Sequence, residues 1–307
     1  MAGWNLEAGY EHLQADFGSL DSVFALTGER LTRDPLSEVI RVQRGGVNYY
    51  VKRYVGAGKG LRAHLGKPRV RAEWQNLKRF AKWGIPTAEV VAWGLERNGA
   101  SYDRGALITR ELPNTQDLHQ LALSDDPRLR NRAWVDHISR QLAQHTRTLH
   151  DNHFTHNDLK WRNLLVDDKD VLYFIDCPNG AFWRSFMLRY RIIKDLACLD
   201  KLGKSELSNT QRLRFYLQYR RREKLNASDK LRVRKIVKFF EGRELATSSP
   251  ARSAPCWSAT GWPHSMHCGT CNWTPWTNPT PAVAAGAACI GWTWKAVVST
   301  SSGKATI

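Results

Sequence analysis

A polar segment between apolar stretches constrains this chain more than any other part of its sequence. Residues 155–166 read Thr-His-Asn-Asp-Leu-Lys-Trp-Arg-Asn-Leu-Leu-Val. Apolar residues at helical spacing over 130–150 precede the segment, and two short apolar runs, 164–166 and 171–175, follow it. This order predicts a helix, then a polar loop, then a β-ribbon that carries polar residues at both ends.

The polar side chains of this segment have the spacing that phosphoryl transfer needs. Asp158 can accept or orient the proton of an attacking hydroxyl, and Asn163 can ligate a metal through its amide oxygen. Asp176 follows Asn163 by thirteen residues, so the ribbon can fold back and bring both oxygen ligands to one Mg²⁺ ion. Lys160 can place a charge on the transferring phosphate, and His156 is expected to hold the loop by hydrogen bonds. The bare pattern fits a polar loop with a helix cap equally well, but its context favours the functional interpretation.

The first 112 residues predict a small antiparallel sheet with one inserted helix. The helix covers 68–83, because Val70, Trp74 and Leu77 fall on one face and Gly84 follows it. β-branched and aromatic residues indicate strands, and Gly45-Gly46 indicates a hairpin turn. The predicted strands cover 23–26, 38–42, 47–54, 90–93 and 106–112.

Three residues of this region complete a candidate nucleotide site. Lys52 ends an apolar strand and Glu73 lies on the helix, a pair that can aim an ammonium group at the α- and β-phosphates. Glu111 lies at the end of the last strand, where backbone groups would hold the adenine. Lys52 by itself could be an ordinary strand lysine in a basic protein, and the downstream motif favours the functional interpretation.

The remaining residues predict helices at 189–202, 211–218 and 227–240. Asp195, on the first of these helices, either anchors the catalytic loop or is a surface acid. The domain organisation that we expect is an N-terminal extension at 1–20, an N-lobe at 21–112, a C-lobe at 113–244 and an atypical tail at 245–307.

The order of these motifs resembles that of the bacterial lipopolysaccharide core kinases, the heptose and Kdo kinases of the InaA/WaaP type. The resemblance covers about residues 20–243. It implies an α+β protein-kinase-like fold with two lobes, a small antiparallel-sheet N-lobe with one helix and a mainly helical C-lobe. It also implies ATP and Mg²⁺ as cofactors, and the lipid A-linked core oligosaccharide as acceptor. The residues that carry it are Lys52, Glu73, 107–112, 156–163 and Asp176.

Three departures from protein kinases argue against a protein substrate. The chain has no Gly-x-Gly-x-x-Gly loop, so Gly28 and residues 32–37 must cover the phosphates in another way. Asp176 is followed by Cys177-Pro178, and proline stiffens that segment. A long activation loop with an Ala-Pro-Glu ending is missing as well.

The net charge of +17 requires an anionic partner or a solvated basic surface. Basic residues concentrate at 52–71 and 212–238, without the aromatic and glycine pattern of an RNA-binding strand, so we expect no nucleic acid partner. An anionic glycolipid in the anionic leaflet of the inner membrane fits the charge. The sequence starts without a signal peptide and has no membrane-spanning run, which predicts a cytoplasmic protein, peripheral at the inner membrane. Rival hypotheses are a small-molecule kinase of the aminoglycoside or choline type and a catalytically inactive kinase-like scaffold or stress protein.

The composition changes after Glu244. Residues 245–307 contain no Asp or Glu, yet they hold six of the 13 Trp and four of the six Cys. Around His264 and Cys268 the segment could bind a metal, but Cys268-Gly-Thr-Cys271 has no regular second pair. A shifted reading frame with no selected fold fits the composition better, and the tail is expected to be disordered.

A chain that ends at residue 244 should therefore fold and keep full activity. The thermal midpoint and the turnover number of the shortened and the full chain would test this expectation. A collapse of either quantity on truncation would show that the tail is part of the folded protein.

Overall fold

The computed structural model describes residues 3–55, 67–98 and 101–241. Its N-terminal part is a six-stranded antiparallel sheet, in the order β1-β5-β6-β4-β3-β2, accompanied by helices. The elements are β1 (Gly3–Leu6), α1 (Gln14–Phe17), α2 (Leu20–Ala25), β2 (Glu29–Asp34), β3 (Ser37–Arg44), β4 (Val47–Val55), α3 (Arg69–Lys82), β5 (Val90–Asn98) and β6 (Ser101–Arg110). The tail at 245–307 and the part of the first basic segment at 56–66 lie outside the described residues.

The strand that carries Lys52 lies inside the sheet. β4 pairs with β3 and β6, so that Lys52 is opposite Val39 on one side and Leu107 on the other. Gly45 and Gly46 connect β3 to β4 at φ angles of 56° and 77°, which glycine adopts at little cost. The predicted hairpin is confirmed, and hydrogen bonding on both edges of β4 fixes the position of the lysine.

The helix predicted at 68–83 is confirmed as α3. Pro68 precedes its first turn, and Gly84 follows its last turn at a φ of 68°. Val70 and Phe80 on its inner face are fully buried. This helix therefore presents Glu73, on the same inner face, to the sheet.

The strand predicted at 23–26 is wrong, because residues 20–25 form α2. The Ser19 hydroxyl accepts a hydrogen bond from the backbone N–H of Ser22, and the Ser22 side chain caps the backbone of Ser19 in return. Leu20 and Val23 then lie buried on one face of the helix. A strand would place these two residues on opposite faces, so the helix buries more apolar surface.

Two strands of the sheet have no clear signal in the sequence. Residues 3–6, which we placed in an N-terminal extension, pair with β5 at the sheet edge as β1. β2 is mostly charged, with the sequence Glu-Arg-Leu-Thr-Arg-Asp, and pairs with β3 at the opposite edge. Edge strands pair through their backbones and bury few side chains, so their hydrophobic pattern is weak.

The C-terminal part is mainly helical, as predicted. Its elements are β7 (Gln116–Asp117), α4 (Leu118–Leu123), α5 (Arg132–Asp151), β8 (Phe154–Thr155), β9 (Leu164–Val166), β10 (Leu172–Phe174), β11 (Ala181–Phe182), α6 (Ser185–Glu206), α7 (Asn209–Arg220) and α8 (Ala227–Val237). The helices predicted from hydrophobic spacing correspond to α5, α6, α7 and α8, and the predicted ribbon is the β9–β10 pair. Among the described helices, none has the length and apolarity needed to cross a membrane.

One apolar core connects the two lobes. Phe80 and Leu107 of the sheet lobe belong to the same buried cluster as Leu149, Leu164 and Phe174 of the helical lobe. The cluster passes behind the polar loop at 155–163, so packing on both sides holds the loop against the sheet lobe.

His145 on α5 makes the stability of this core depend on pH. Its ring packs edge-on against Phe174, and burial lowers its pKa from 6.5 to about 4. The unfolded chain therefore binds a proton at His145 below pH 6.5, whereas the folded chain binds it only below about pH 4. Protonation of His145 should lower the unfolding free energy of the wild type by roughly 3 kcal/mol between pH 7 and pH 4, and His145→Gln should not show this part of the decrease. Urea unfolding of both proteins at the two pH values measures this difference, and parallel pH profiles would contradict it.

Candidate active site

A cavity of about 470 Å³ lies between the lobes, within the size range of ligand sites. Leu31 of β2 and Val39 of β3 line it from the sheet lobe, so the β2–β3 hairpin covers it. This hairpin contains residues 32–37, the segment that we expected to replace a glycine-rich loop. From the helical lobe, Leu165 and Asp176 complete the walls.

Lys52, Glu73 and Asp176 meet at the inner end of this cavity. The ammonium nitrogen of Lys52 lies 3.0 and 2.9 Å from the two carboxylate oxygens of Glu73, and 2.7 Å from Oδ1 of Asp176. The Tyr54 hydroxyl donates a further hydrogen bond to Glu73. All three side chains of the triad are largely buried. The structure therefore brings together three of the five residues that the sequence assigned to the nucleotide and the metal.

Charge pairing controls the protonation of Lys52 and Asp176. Burial alone would lower the pKa of Lys52, but the carboxylates of Asp176 and Glu73 raise it well above its ordinary value. Burial by itself would raise the pKa of Asp176. The charge of Lys52 outweighs the effect of burial, so the pKa of Asp176 is lowered. At neutral pH the site thus holds one ammonium and ionised Asp176, the forms that bind phosphate and a metal ion.

The loop that follows β8 is held from behind by a buried carboxylate. Asp195 of α6 has no exposed surface, and its two oxygens each accept a 2.8 Å hydrogen bond, from the backbone N–H groups of His156 and Asn157. Lys194 donates a 3.1 Å hydrogen bond to the Asn157 carbonyl. Asn157 has a φ of 64°, an uncommon conformation that these contacts stabilise. Asp195 therefore lies against the loop, and of the two alternatives the geometry excludes a surface acid.

We expect Asp195→Ala to lower the unfolding free energy by about 3 kcal/mol, because two buried N–H groups lose their acceptor. The loop should also shift, so turnover should fall. Asp200→Asn on the same helix is the matched control: Asp200 binds the side chain of Arg212 at 2.7 and 2.8 Å and does not touch the loop. Thermal unfolding and steady-state kinetics of both variants separate the effects, and equal turnover in the two variants would contradict the anchoring role.

The loop presents Asp158 beside two cations. Lys160 Nζ lies 2.7 Å from Asp158 Oδ1, and a guanidinium nitrogen of Arg162 lies 3.9 Å from Asp158 Oδ2. The Asp158 side chain is about one-quarter exposed, so a substrate hydroxyl can reach it. The carboxylate and Lys160 thus occupy neighbouring positions, as their assigned roles require.

The side-chain oxygen of Asn163 has lone pairs that a metal ion could use. Its amide nitrogen donates a 2.8 Å hydrogen bond to the Asp158 carbonyl, which orients the side chain. Its Oδ1 is buried and accepts no hydrogen bond from the residues that the structure describes. A buried acceptor of this kind is rare unless a water or an ion satisfies it. Together with the Asp176 carboxylate, this oxygen fits Mg²⁺, which takes hard oxygen ligands and keeps several waters.

His156 holds the loop by a hydrogen bond of its backbone N–H to Asp195, and not by its side chain. Both ring nitrogens are buried and make no hydrogen bond to any described residue. The ring instead packs face to face with Phe80 at 6.0 Å and edge-on to Phe174 at 6.4 Å. His156 therefore supports the loop by filling the core between the lobes.

Glu111 lies past the end of β6, at the outer part of the cavity. Its carboxylate accepts hydrogen bonds from Asn48 and Tyr50 at 2.7 and 2.9 Å. Its own N–H donates to the Asn48 carbonyl, so this N–H is already used. The side chain of Glu111 therefore braces the segment that connects the lobes, and the Glu111 N–H is not available to a ligand.

Sequence reasoning missed two residues of the site. Arg162 lines the cavity, and its position next to Asn163 in the motif could have indicated this. Asn76 of α3 is almost fully buried and donates hydrogen bonds to the carbonyls of Cys177 and Gly180 at 2.7 and 3.1 Å. These bonds hold the segment that follows Asp176, and the signal was a polar residue on the buried face of α3.

Comparison with known proteins identifies relatives of this chain. The model of the lipopolysaccharide kinase (Kdo/WaaP) family matches residues 22–219. The 3-deoxy-D-manno-octulosonic acid kinase of Vibrio cholerae is 26% identical over 128 residues, which are 40% of this chain and 51% of the relative. The enzyme of the same description from Photobacterium profundum is 28% identical over 124 residues, 39% of this chain and 49% of the relative. The chain spans about half the length of the curated relatives it matches.

A solved structure described as WaaP in complex with acyl carrier protein has a similar fold. It superimposes with a TM-score of 0.61 at 24% sequence identity, and the match covers 80% of this chain and 98% of that chain. The predicted α+β architecture with two protein-kinase-like lobes is confirmed by this match and by the arrangement of the described elements.

Proposed function

Because the chain belongs to the lipopolysaccharide kinase (Kdo/WaaP) family, we propose that it transfers the γ-phosphoryl group of ATP to a sugar hydroxyl of the lipopolysaccharide inner core. The observation that carries the proposal is the convergence of Lys52, Glu73 and Asp176 at one cavity, which Arg162 of the loop that carries Asp158 also lines. Of the two core sugars that the sequence left open, Kdo is favoured. The relatives from Vibrio cholerae and Photobacterium profundum are both described as kinases of this sugar.

Residues of the cavity and of the loop at 155–163 divide the work of the reaction. Lys52, held by Glu73, binds the nucleotide phosphates, since a buried ammonium offers charge without flexibility. Asn163 and Asp176 would hold Mg²⁺, which supplies charge neutralisation on the phosphates when bound. Asp158 takes the proton of the acceptor hydroxyl. Lys160, which contacts Asp158 in the structure, is displaced by the acceptor and turns to the transferring phosphoryl group.

Phosphoryl transfer to purified core oligosaccharides tests the proposal. The full chain is incubated with ATP and Mg²⁺ and with dephosphorylated oligosaccharides that end either in Kdo or in heptose. We expect the mass of one phosphate to be added to the Kdo-terminated acceptor. Transfer to heptose alone would correct the sugar. Failure with every core acceptor, in a preparation that binds ATP, would contradict the function.

An acceptor linked to lipid A resides in a bilayer, so we include a peripheral position at the cytoplasmic face of the inner membrane in the proposal. The high positive charge of the chain supports it, since anionic leaflets attract basic proteins.

A further inference from the structure

β11 and the start of α6 carry exposed aromatic side chains that the reaction does not use. Phe186 is 75% exposed and Phe182 is 52% exposed, and Tyr190, one turn after Phe186, is 40% exposed. Arg184 and Arg189 are exposed between them. These five residues are named here the aromatic–arginine patch. Single exposed apolar side chains are common on protein surfaces, but several exposed rings within nine residues of one another are typical of an interaction site.

The patch lies in a stretch of one charge sign. From Cys177 to Lys194 the chain contains four basic residues and no Asp or Glu. This stretch is also structurally ordered. The guanidinium of Arg191 stacks on Trp183 at 4.5 Å, and that of Arg79 lies 5.2 Å from the Phe182 ring. The exposed rings therefore project from a fixed backbone and are presented as a surface.

The backbone that carries the patch is the one that holds the catalytic loop. β11 ends in Phe182 and pairs with β8, where Phe182 is opposite Phe154, immediately before the loop begins. α6, which carries the rest of the patch, reaches the loop through Asp195 and Lys194. A partner bound at the patch is therefore fixed with respect to Asp158, the residue that must meet the acceptor.

We propose that the aromatic–arginine patch docks the protein on an anionic lipid bilayer and thereby presents a membrane-embedded acceptor to Asp158. Aromatic rings enter the interface between headgroups and acyl chains, while arginines pair with anionic headgroups. The docking itself stands on the patch alone, and only its link to the acceptor rests on the proposed function.

Charge complementarity and ring chemistry both select a bilayer as the occupant. A nucleic acid would also contact arginines, but it uses aromatic rings within a basic groove that follows the backbone. Phe182, at the end of β11, and Phe186, in the first turn of α6, are instead more than half exposed and carry no polar group. Projecting apolar rings with flanking cations are the pattern of interfacial membrane anchors.

Vesicle flotation with the full chain tests the docking. Vesicles of phosphatidylethanolamine with phosphatidylglycerol are compared with vesicles of phosphatidylcholine alone. The double variant Phe186→Ser with Arg189→Glu removes one ring and reverses one charge. The matched control is Leu123→Ser with Arg132→Glu, which removes one exposed apolar side chain and reverses one charge on α4 and α5. A single-stranded RNA of comparable charge serves as the competing polyanion.

We expect binding to the anionic vesicles to fall about tenfold in the patch variant and by less than about twofold in the control. Phosphorylation of a soluble, delipidated core oligosaccharide should be equal in all three proteins, whereas that of a vesicle-embedded acceptor should fall with binding. Equal vesicle binding by patch variant and wild type would overturn the docking, as would tight RNA binding without vesicle binding. Patch-dependent vesicle binding without phosphorylation of any acceptor would support the docking and refute the proposed function.

Discussion

Replacing Asp158 by asparagine is expected to reduce kcat by about a thousandfold, because the acceptor hydroxyl loses the carboxylate that takes its proton. The amide keeps the size of the side chain, and the Asp158 carbonyl can still accept the hydrogen bond from Asn163. The fold should therefore survive, with a thermal midpoint close to that of the wild type. The KM for ATP should change little, since the nucleotide is held by other residues. Steady-state kinetics with the dephosphorylated core acceptor measures both constants.

The matched control for this variant is Asp151→Asn, at the end of α5. Asp151 also forms an ion pair, with Arg147 at 3.0 Å, but its side chain is 60% exposed and outside the cavity. Its turnover should equal that of the wild type. A turnover of Asp158→Asn near the wild-type value would remove Asp158 from the mechanism, whatever the control shows.

Replacing Lys52 by methionine is expected to destabilise the protein by about 3–5 kcal/mol and to abolish activity. The change leaves the carboxylates of Glu73 and Asp176 buried side by side without a cation, and an unpaired buried charge costs far more than the pair contributes. The double variant Lys52→Met with Glu73→Gln should regain a large part of this stability while remaining inactive. Denaturant unfolding of the two variants, with ATP binding measured in parallel, tests the coupling.

Lys78 on α3, the helix that also carries Glu73, offers a control for Lys52. Lys78 forms an equally short ion pair with Glu7, at 2.7 Å, but its side chain is 46% exposed. Lys78→Met should cost less than about 1 kcal/mol, because solvent screens exposed pairs. Similar losses in Lys52→Met and Lys78→Met would contradict the burial argument.

The pH dependence of the Lys52 variant follows from Asp176. In the wild type Lys52 lowers the pKa of Asp176 against burial, so the stability from this pairing is present above the ordinary aspartate pKa. It is lost as the pH falls through the lowered value. Without the lysine, burial raises the pKa of Asp176 and protonation relieves the buried charge. The stability gap between wild type and variant should therefore narrow as the pH is lowered from neutral, as unfolding at several pH values would show.

The amino-acid sequence was sufficient for the parts of this protein in which local pattern and chemistry coincide. The β3–β4 hairpin, α3 and α5 follow from turn residues and from hydrophobic spacing, which local sterics and burial enforce. The spacing of Asp158, Asn163 and Asp176 was readable because a fixed chemistry needs those groups on one loop and one ribbon. α2 was missed because the apolar residues 23–26 fit a strand as well as a helix. The capping box at Ser19 favours the helix.

Only the tertiary structure decided which of these side chains act together and what supports them. Asp195 is 39 residues from the backbone N–H of His156 along the chain, and Asn76 is 101 residues from the Cys177 carbonyl that it binds. No local pattern encodes such contacts, because they form only when packing of the core brings distant segments together. The same packing placed the His156 ring against Phe80, where its nitrogens bond to no described residue, and left the hydrogen bond to Asp195 to the backbone. It also left Phe182 and Phe186 more than half exposed. Hydrophobic spacing shows that a residue prefers burial, whereas only the folded chain shows which residues are left without it.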